Sequence, residues 1–363
     1  MKSAILGHDA NPQTATMDPA STAGPRALRV VAMGGGTGLS TLLRGLRRHV
    51  AAAGQSPELP TAVSDLAAVV TVTDDGGSSG RLRQDFNMLP PGDLRNCMVA
   101  LSEEEDLLSR LFTHRFRSGD GLKGHNFGNL FVAALTEITG DFAQAVQLSS
   151  KILATRGRIY PATTANTTLV AQVEDGELVR GETNITACRK QIVELMLDPP
   201  NPSPLPETLE AIERADLITV GPGSLYTSLI TNLLVDGIGS TLAGARALRV
   251  YVCNLMTQAN ESLGLTASEH IERIYDHTGA PIFDCALVNT APFSQQTLAR
   301  YAAEGAAPIE PDIERIEALG VKCITGDFAI EESVVRHHAV RVTDTLLRLG
   351  RSHVTAPGSL EQI

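Results

Sequence analysis

The sequence predicts an α/β protein: a doubly wound, mostly parallel Rossmann-like sheet that carries an antiparallel β insert. Three observations lead there. Short apolar runs alternate with amphipathic helical stretches along most of the chain, the pattern of successive βαβ units. A glycine loop follows the first run at once, and a glycine-rich loop with two aspartates follows the second. Residues 168–197 interrupt the alternation with short strand-like runs and an Asp175-Gly176 turn, which predicts the antiparallel insert.

Arg29 to Met33 reads as the first strand, and Gly34-Gly35-Gly36-Thr37-Gly38 leads into a helix over 39–50 with Leu39, Leu42, Leu43 and Leu46 on one side. Backbone N–H groups and the helix dipole converge at such a junction, so it suits phosphate. The glycines run G-x-G-x-G, short of the dinucleotide fingerprint G-x-G-x-x-G. Leu66 to Val72 reads as a buried strand ending at Thr73-Asp74-Asp75-Gly76-Gly77-Ser78-Ser79-Gly80-Arg81-Leu82-Arg83. Its acids fall at the carboxyl end of the strand, where open α/β sheets bind ligands. Gly76, Gly77 and Ser78 let successive N–H groups point at one anion. Asp74 and Asp75 have the chemistry to hold magnesium or to grip ribose hydroxyls. The plainer reading is an Asp-Gly turn with a basic tail.

Pro90-Pro91-Gly92-Asp93-Leu94-Arg95-Asn96 is a rigid entry to a helix, and Arg95 suits either a bidentate phosphate contact or a structural salt bridge. Ser102 and Glu105 spell a capping box. Gly124 to Asn129 enters another helix, with His125 open to a structural or a catalytic role. A helix is expected over 142–153, and strands over 215–220, 249–255, 285–288 and 321–324. Gly221-Pro222-Gly223-Ser224 follows the first of these strands; Ser224 is expected as an N-cap, with Tyr226 presented to a base or sugar. Asn254, Thr257 and Gln258 end the next strand with groups able to read a base or sugar. The proline-rich run 198–206 is a stiff connector.

With 363 residues, 43 % hydrophobic and 20 % charged, the chain has the make-up of a soluble globular protein. No apolar run approaches a membrane span. A net charge of −11 argues against a general nucleic-acid role. Five scattered cysteines without a CxxC pair point to a reducing cytoplasm, and away from structural zinc and disulfides. Residues 1–27 and 351–363 are expected to be flexible tails around one domain, 28–350.

The motifs GGGTG (34–38), TVTDDGGSSGRLR (71–83), PPGDLRNC (90–97), GHNFGNL (124–130), ALTEITGDF (134–142), GPGSLYTSL (221–229) and YVCNLMTQ (251–258) resemble, in order and spacing, those of YvcK-type gluconeogenesis factors. The resemblance covers roughly residues 28–340. The wider superfamily includes CofD, the phospholactate transferase of deazaflavin coenzyme synthesis, and shares a doubly wound core. The resemblance implies a cytoplasmic, homo-oligomeric factor that binds a UDP-sugar such as UDP-N-acetylglucosamine. It also implies a role, with a protein partner, in cell-wall synthesis and cell shape on gluconeogenic carbon, without an assigned turnover. The implied cleft comprises Gly35 to Gly38, Asp74 to Ser78, Gly221 to Tyr226 and Asn254 to Gln258, with Arg336 placed at the nucleotide. Several of these must act together: micromolar binding needs about 8 kcal/mol, and one helix-terminus contact contributes up to about 2.

The chain departs from the family where Ala259-Asn260 replaces a Pro-Gly turn and where His338 replaces an aspartate. A CofD-like transferase, with Asp74 and Asp75 on magnesium, is the alternative; GHNFGNL and the absence of Trp lean against it. A nicotinamide dehydrogenase would need an acid about 20 positions after the first loop, and only Glu58 and Asp65 stand near there. Thr343 is a candidate phosphoacceptor.

Overall fold

The computed structural model describes residues 26–51, 62–103, 107–258 and 261–356. Its strands are β1 (Leu28–Gly34), β2 (Val63–Val70), β3 (Arg158–Pro161), β4 (Thr168–Val173), β5 (Leu178–Arg180), β6 (Ile192–Asp198), β7 (Leu217–Val220), β8 (Leu248–Val252), β9 (Cys285–Asn289), β10 (Lys322–Gly326), β11 (Ala329–Glu331) and β12 (Val335–His337). Seven of them form one sheet in the order β10-β9-β8-β7-β1-β2-β3, and every neighbouring pair is parallel. The chain leaves β1 toward β2 on one side and later returns to β7 on the other. That reversal makes the carboxyl ends of β1 and β7 a topological switch point.

The strand sequences are apolar on both faces because both faces are covered. Val30 and Ala32 of β1, with Ala68 and Val70 of β2, pack beneath helices Gly36–Arg47, Gly92–Leu101 and Ala339–Thr355. Their alternates Val31, Met33, Ala67 and Val69 meet helices Pro206–Arg214 and Ala267–Thr278 and the insert. Period-two alternation thus divides one set of strands between two cores. Leu39, Leu42, Leu43 and Leu46 are at most 2 % exposed, and each contributes about 1.5–3 kcal/mol by burial.

Ion pairs close the opposite, amino-terminal edge of the sheet. The Arg29 guanidinium grips Asp216, just before β7, through Nε at 3.0 Å and Nη2 at 2.8 Å. Arg249 and Asp284 join β8 to β9 in the same manner. Asp65 sits at this edge too, paired with Arg158 of β3, so it does not reach the glycine loop as a dehydrogenase acid would; Glu58 lies outside the described residues.

The insert is a three-stranded antiparallel sheet, β5-β4-β6. Gly176, at φ +85°, occupies its first turn. A helix missing from the sequence expectation, Glu182–Ala187, links β5 to β6. The edge strand β3 and the hairpin β11–β12 were also not expected: at three or four residues they are too short for a periodic signal.

Three further expectations are corrected. Ser102 ends helix Gly92–Leu101 instead of starting one, and its hydroxyl donates to the Leu153 carbonyl at 2.8 Å; Glu105 lies outside the described residues. The last helix runs Ala339–Thr355, so order extends past residue 351; residues 1–25 and 357–363 are likewise outside. Thr343 is fully buried in that helix against Gly45, which encloses the candidate phosphoacceptor. All five cysteines are free. Among the described residues no helix is long and apolar enough to cross a membrane.

Gly45 sets the approach of the last helix. A Cβ there would stand 2.2 Å from Thr343 Oγ1 and 2.8 Å from the Ala339 carbonyl oxygen. Gly45→Ala is therefore expected to cost about 1–3 kcal/mol by overpacking, measured by urea unfolding. Gly244→Ala, where a Cβ meets nothing within 4 Å, is the control and is expected to be neutral or slightly stabilising.

Candidate functional site at the switch point

β1 ends in the glycine loop, and Gly36 to Arg47 turns at once into helix. Opposite, β7 ends at Val220, and Gly221 and a cis Pro222 follow. The two loops touch: a Cβ on Gly38 would stand 2.5 Å from the Pro222 carbonyl oxygen, and one on Gly35 would stand 2.8 Å from Thr71 and 3.2 Å from Ser228 Oγ. Asn232 locks this junction from below, its amide donating to the Gly34 carbonyl at 2.9 Å and to that of Ser228 at 2.7 Å. Gly36 (φ +61°) and Gly77 (φ +50°) open the two glycine-loop helices, and nothing lies within 4 Å of where their Cβ atoms would be. Both loops therefore present bare backbone to open space, with first-turn N–H groups that have no helical acceptor.

The structure brings Gly35, Gly36, Thr37, Gly38, Asp74, Gly221, Gly223, Asn254, Ser224 and Gln258 to this edge. Asn254 Oδ1 accepts from the Gly223 N–H at 3.3 Å, and Gln258 Nε2 donates to Ser224 Oγ at 2.9 Å. Ser224 stands at the N-cap position as expected, but its side chain makes no capping hydrogen bond. The segment it precedes, Leu225–Ile230, is a π-helix, and the N–H groups of Ser228 and Leu229 both reach the Ser224 carbonyl.

Asp74 and Asp75 part company. Asp74 Oδ1 accepts from the Gly76 N–H at 2.9 Å, and its Oδ2 lies 3.0 Å from where a Gly92 Cβ would be. Asp75 Oδ1 instead accepts from Thr183 N at 2.8 Å and from Thr183 Oγ1 at 2.6 Å, capping the insert helix. The two carboxylates thus take different protein partners, and among the described residues no three His, Cys, Asp or Glu side chains are grouped to hold a metal.

Several expected ligands are otherwise engaged. Tyr226 is 1 % exposed, and its hydroxyl points to the Ile192 carbonyl beneath the insert, so no base can stack on it. Arg95 is buried under Gly128; Nη2 donates to Asn96 Oδ1 at 2.7 Å and Nη1 to the Phe112 carbonyl at 3.4 Å. Burial lowers its pKa to about 10, and both Nη atoms are engaged with protein acceptors. Thr257 exchanges hydrogen bonds with Ala307. Ser78 Oγ meets His125 Nδ1 at 3.1 Å, and the Asn129 amide approaches Ser79 Oγ at 3.5 Å. These tie the Gly77–Phe86 helix to the GHNFGNL segment, and burial pushes the His125 pKa down. Arg81 reaches the Lys123 carbonyl through Nη2 alone, which leaves its other N–H groups available. Arg336 lies on β12 beside Arg44 of the first helix and 3.7 Å from Glu332.

Three acids escaped the sequence reading. Asp93 accepts the Gly36 N–H and so occupies the first cradle; burial, then the field of Asp74, pushes its pKa up to about 6. Glu182, on the insert helix, is pushed up to about 9 by burial and then by Asp74 and Asp93. Glu261 is 8 % exposed and accepts from Thr227 Oγ1 at 2.9 Å; burial raises its pKa also. Asp93 was legible in PPGDLRN as the acid opening a helix. Glu182 and Glu261 arrive through the fold alone.

Two tests follow from this electrostatics. Glu182 has a folded pKa above its unfolded value, so its contribution favours the native state below about pH 4.5 and is lost as pH rises toward 9. Glu182→Gln should therefore raise the melting temperature at pH 9 by a few degrees, about 1 kcal/mol or more, and change it little at pH 4. If Asp75 acts by positioning the insert, Thr183→Ala should reproduce the Asp75→Ala loss of about 1 kcal/mol in denaturant unfolding, and both should weaken ligand binding alike.

Comparison with known proteins agrees with this architecture. Residues 30–329 match the family model described as 2-phospho-L-lactate transferase CofD. A gluconeogenesis factor of Halalkalibacterium halodurans is 47 % identical over 88 % of this chain and 95 % of its own. That of Bacillus subtilis is 44 % identical over 88 % of this chain and 98 % of its own. A crystal structure of a UPF0052 family member from Bacillus halodurans superposes with a TM-score of 0.83 at 47 % identity, covering 89 % of this chain and 99 % of that one. With its GGGTG and DDGG loops facing the β1–β7 switch point, the chain belongs to the CofD/YvcK family, among relatives named gluconeogenesis factors.

Proposed function

We propose that the chain is a cytoplasmic regulatory factor that binds a UDP-sugar of the UDP-N-acetylglucosamine kind. Through a protein partner it acts in cell-wall synthesis and cell shape during gluconeogenic growth. The observation that carries the binding proposal is the meeting of the β1 and β7 loops at the switch point beside the bare Gly36 helix start, with Asn254, Ser224 and Gln258 on its wall. A diphosphate fits the orphan N–H groups of two helix starts, and amides and hydroxyls fit a sugar or base. The acids nearby do not forbid an anion. Burial keeps the proton on Glu182 at neutral pH, which turns it from a repelling charge into a hydrogen-bond donor. Asp93 holds the Gly36 N–H in place of a ligand, and a phosphate displaces it. Magnesium enters this reading only as a companion of the diphosphate.

The second reading, a CofD-like transferase, draws on the family model's description. Calorimetric titration with UDP-N-acetylglucosamine, with and without magnesium and against GDP and NAD, separates the two. Selective UDP-sugar binding with no product by mass spectrometry is expected; preference for GDP with magnesium would move the assignment to the transferase. Arg336→Ala should weaken UDP-sugar binding about tenfold, the worth of one charge-assisted contact, and unchanged affinity in the folded variant would place the nucleotide elsewhere.

A further inference from the structure

The segment between helices Leu107–Thr113 and Phe127–Thr139 carries cations that the nucleotide reading does not use. Arg115, Phe116, Arg117 and Lys123, with His114 and Gly124, line an open cleft of about 760 Å³. Its walls are held by the backbone: Phe116 N–H donates to the His125 carbonyl at 3.0 Å, and Gly124 N–H donates to that of Phe116 at 2.8 Å. Two guanidiniums are fixed on consecutive carbonyls. Arg81 Nη2 donates to Lys123 at 3.0 Å, and Arg115 Nη1 donates to Gly124 at 2.6 Å. Each keeps further N–H groups unspent.

Among the described residues, none of Arg81, Arg115, Arg117 and Lys123 is within salt-bridge range of a carboxylate. Asp85 and Asp120, the acids close by in sequence, pair with none of them. Four exposed like charges in a chain of net charge −11 make a local positive patch that favours an anion. We propose that Arg81, Arg115, Arg117 and Lys123 form a second anion site, separate from the glycine-loop crevice, that takes a compact phosphate-bearing small molecule. Guanidinium forks held side by side match the several oxygens of a phosphoryl group. An acidic peptide in extended form would instead spread its charges along a row, with same-side residues about 6.6 Å apart. The His114 and Phe116 rings, 5.1 Å apart and edge to face, add an aromatic wall beside the charge.

The probe is inorganic pyrophosphate, titrated calorimetrically at fixed ionic strength into the full chain. Saturable binding is expected, weakened about tenfold or more in Arg115→Gln/Lys123→Gln and less in Arg117→Gln. These side chains are exposed, and an unchanged circular dichroism melt confirms that the variants fold. Arg189→Gln/Arg214→Gln removes the same charge elsewhere and should leave binding unaltered. Equal loss in that control would reduce the effect to net charge and overturn the site. Equal affinity in wild type and the loop variants would do the same, by placing pyrophosphate elsewhere. So would saturable binding of poly-glutamate that pyrophosphate fails to displace, which would make the cleft an acidic-protein dock. Failure of UDP-N-acetylglucosamine to bind leaves this result untouched, because the loop variants are read with pyrophosphate alone.

Discussion

Gly38 has no room for a side chain, and much of the site depends on that. The loops after β1 and β7 touch where the chain reverses direction across the sheet, and the Pro222 carbonyl occupies the space a Cβ would fill. Hydrogen bonds on both sides of β1 hold the strand in the sheet interior, and Asn232 ties its last carbonyl to the π-helix. Rigid strands thus deliver bare backbone to one point. Preorganisation of this kind lowers the entropy that binding must overcome.

The electrostatics of the crevice run against its composition. Asp74, Asp93, Glu182 and Glu261 lie close enough to shift one another or share partners, which on charge alone would exclude phosphate. Desolvation reverses the argument at Glu182, whose carboxyl keeps its proton at neutral pH and then donates. Asp75, by contrast, has its Oδ1 committed to the insert helix through Thr183. The antiparallel sheet and the aspartate loop are therefore mechanically joined, and a ligand that moves the loop also moves the insert.

Much of the fold was legible. Apolar runs and helical periodicity located β1, β2, β7 to β10 and the insert strands to within a few residues, because buried parallel strands and amphipathic helices write their environment into sequence. Strands of three or four residues such as β3, β11 and β12 carry too little pattern. The glycine loops were legible because only glycine serves there. Individual ligands were less so: Tyr226 and Arg95 have the right chemistry and the right position in the chain, yet both side chains turn into the core. Backbone position does not determine which way a side chain points once neighbouring helices pack.

Sequence alone determined the α/β class, the two glycine cradles, the family and the soluble composition, since each depends on local pattern or residue type. Tertiary structure decided which acids face the crevice, that Asp74 and Asp75 take different partners, and that Glu182 and Glu261 join them from the insert and from beyond β8. The physical reason is distance. Burial and Coulomb fields act between side chains many tens of residues apart in the chain, and only the folded packing brings them together.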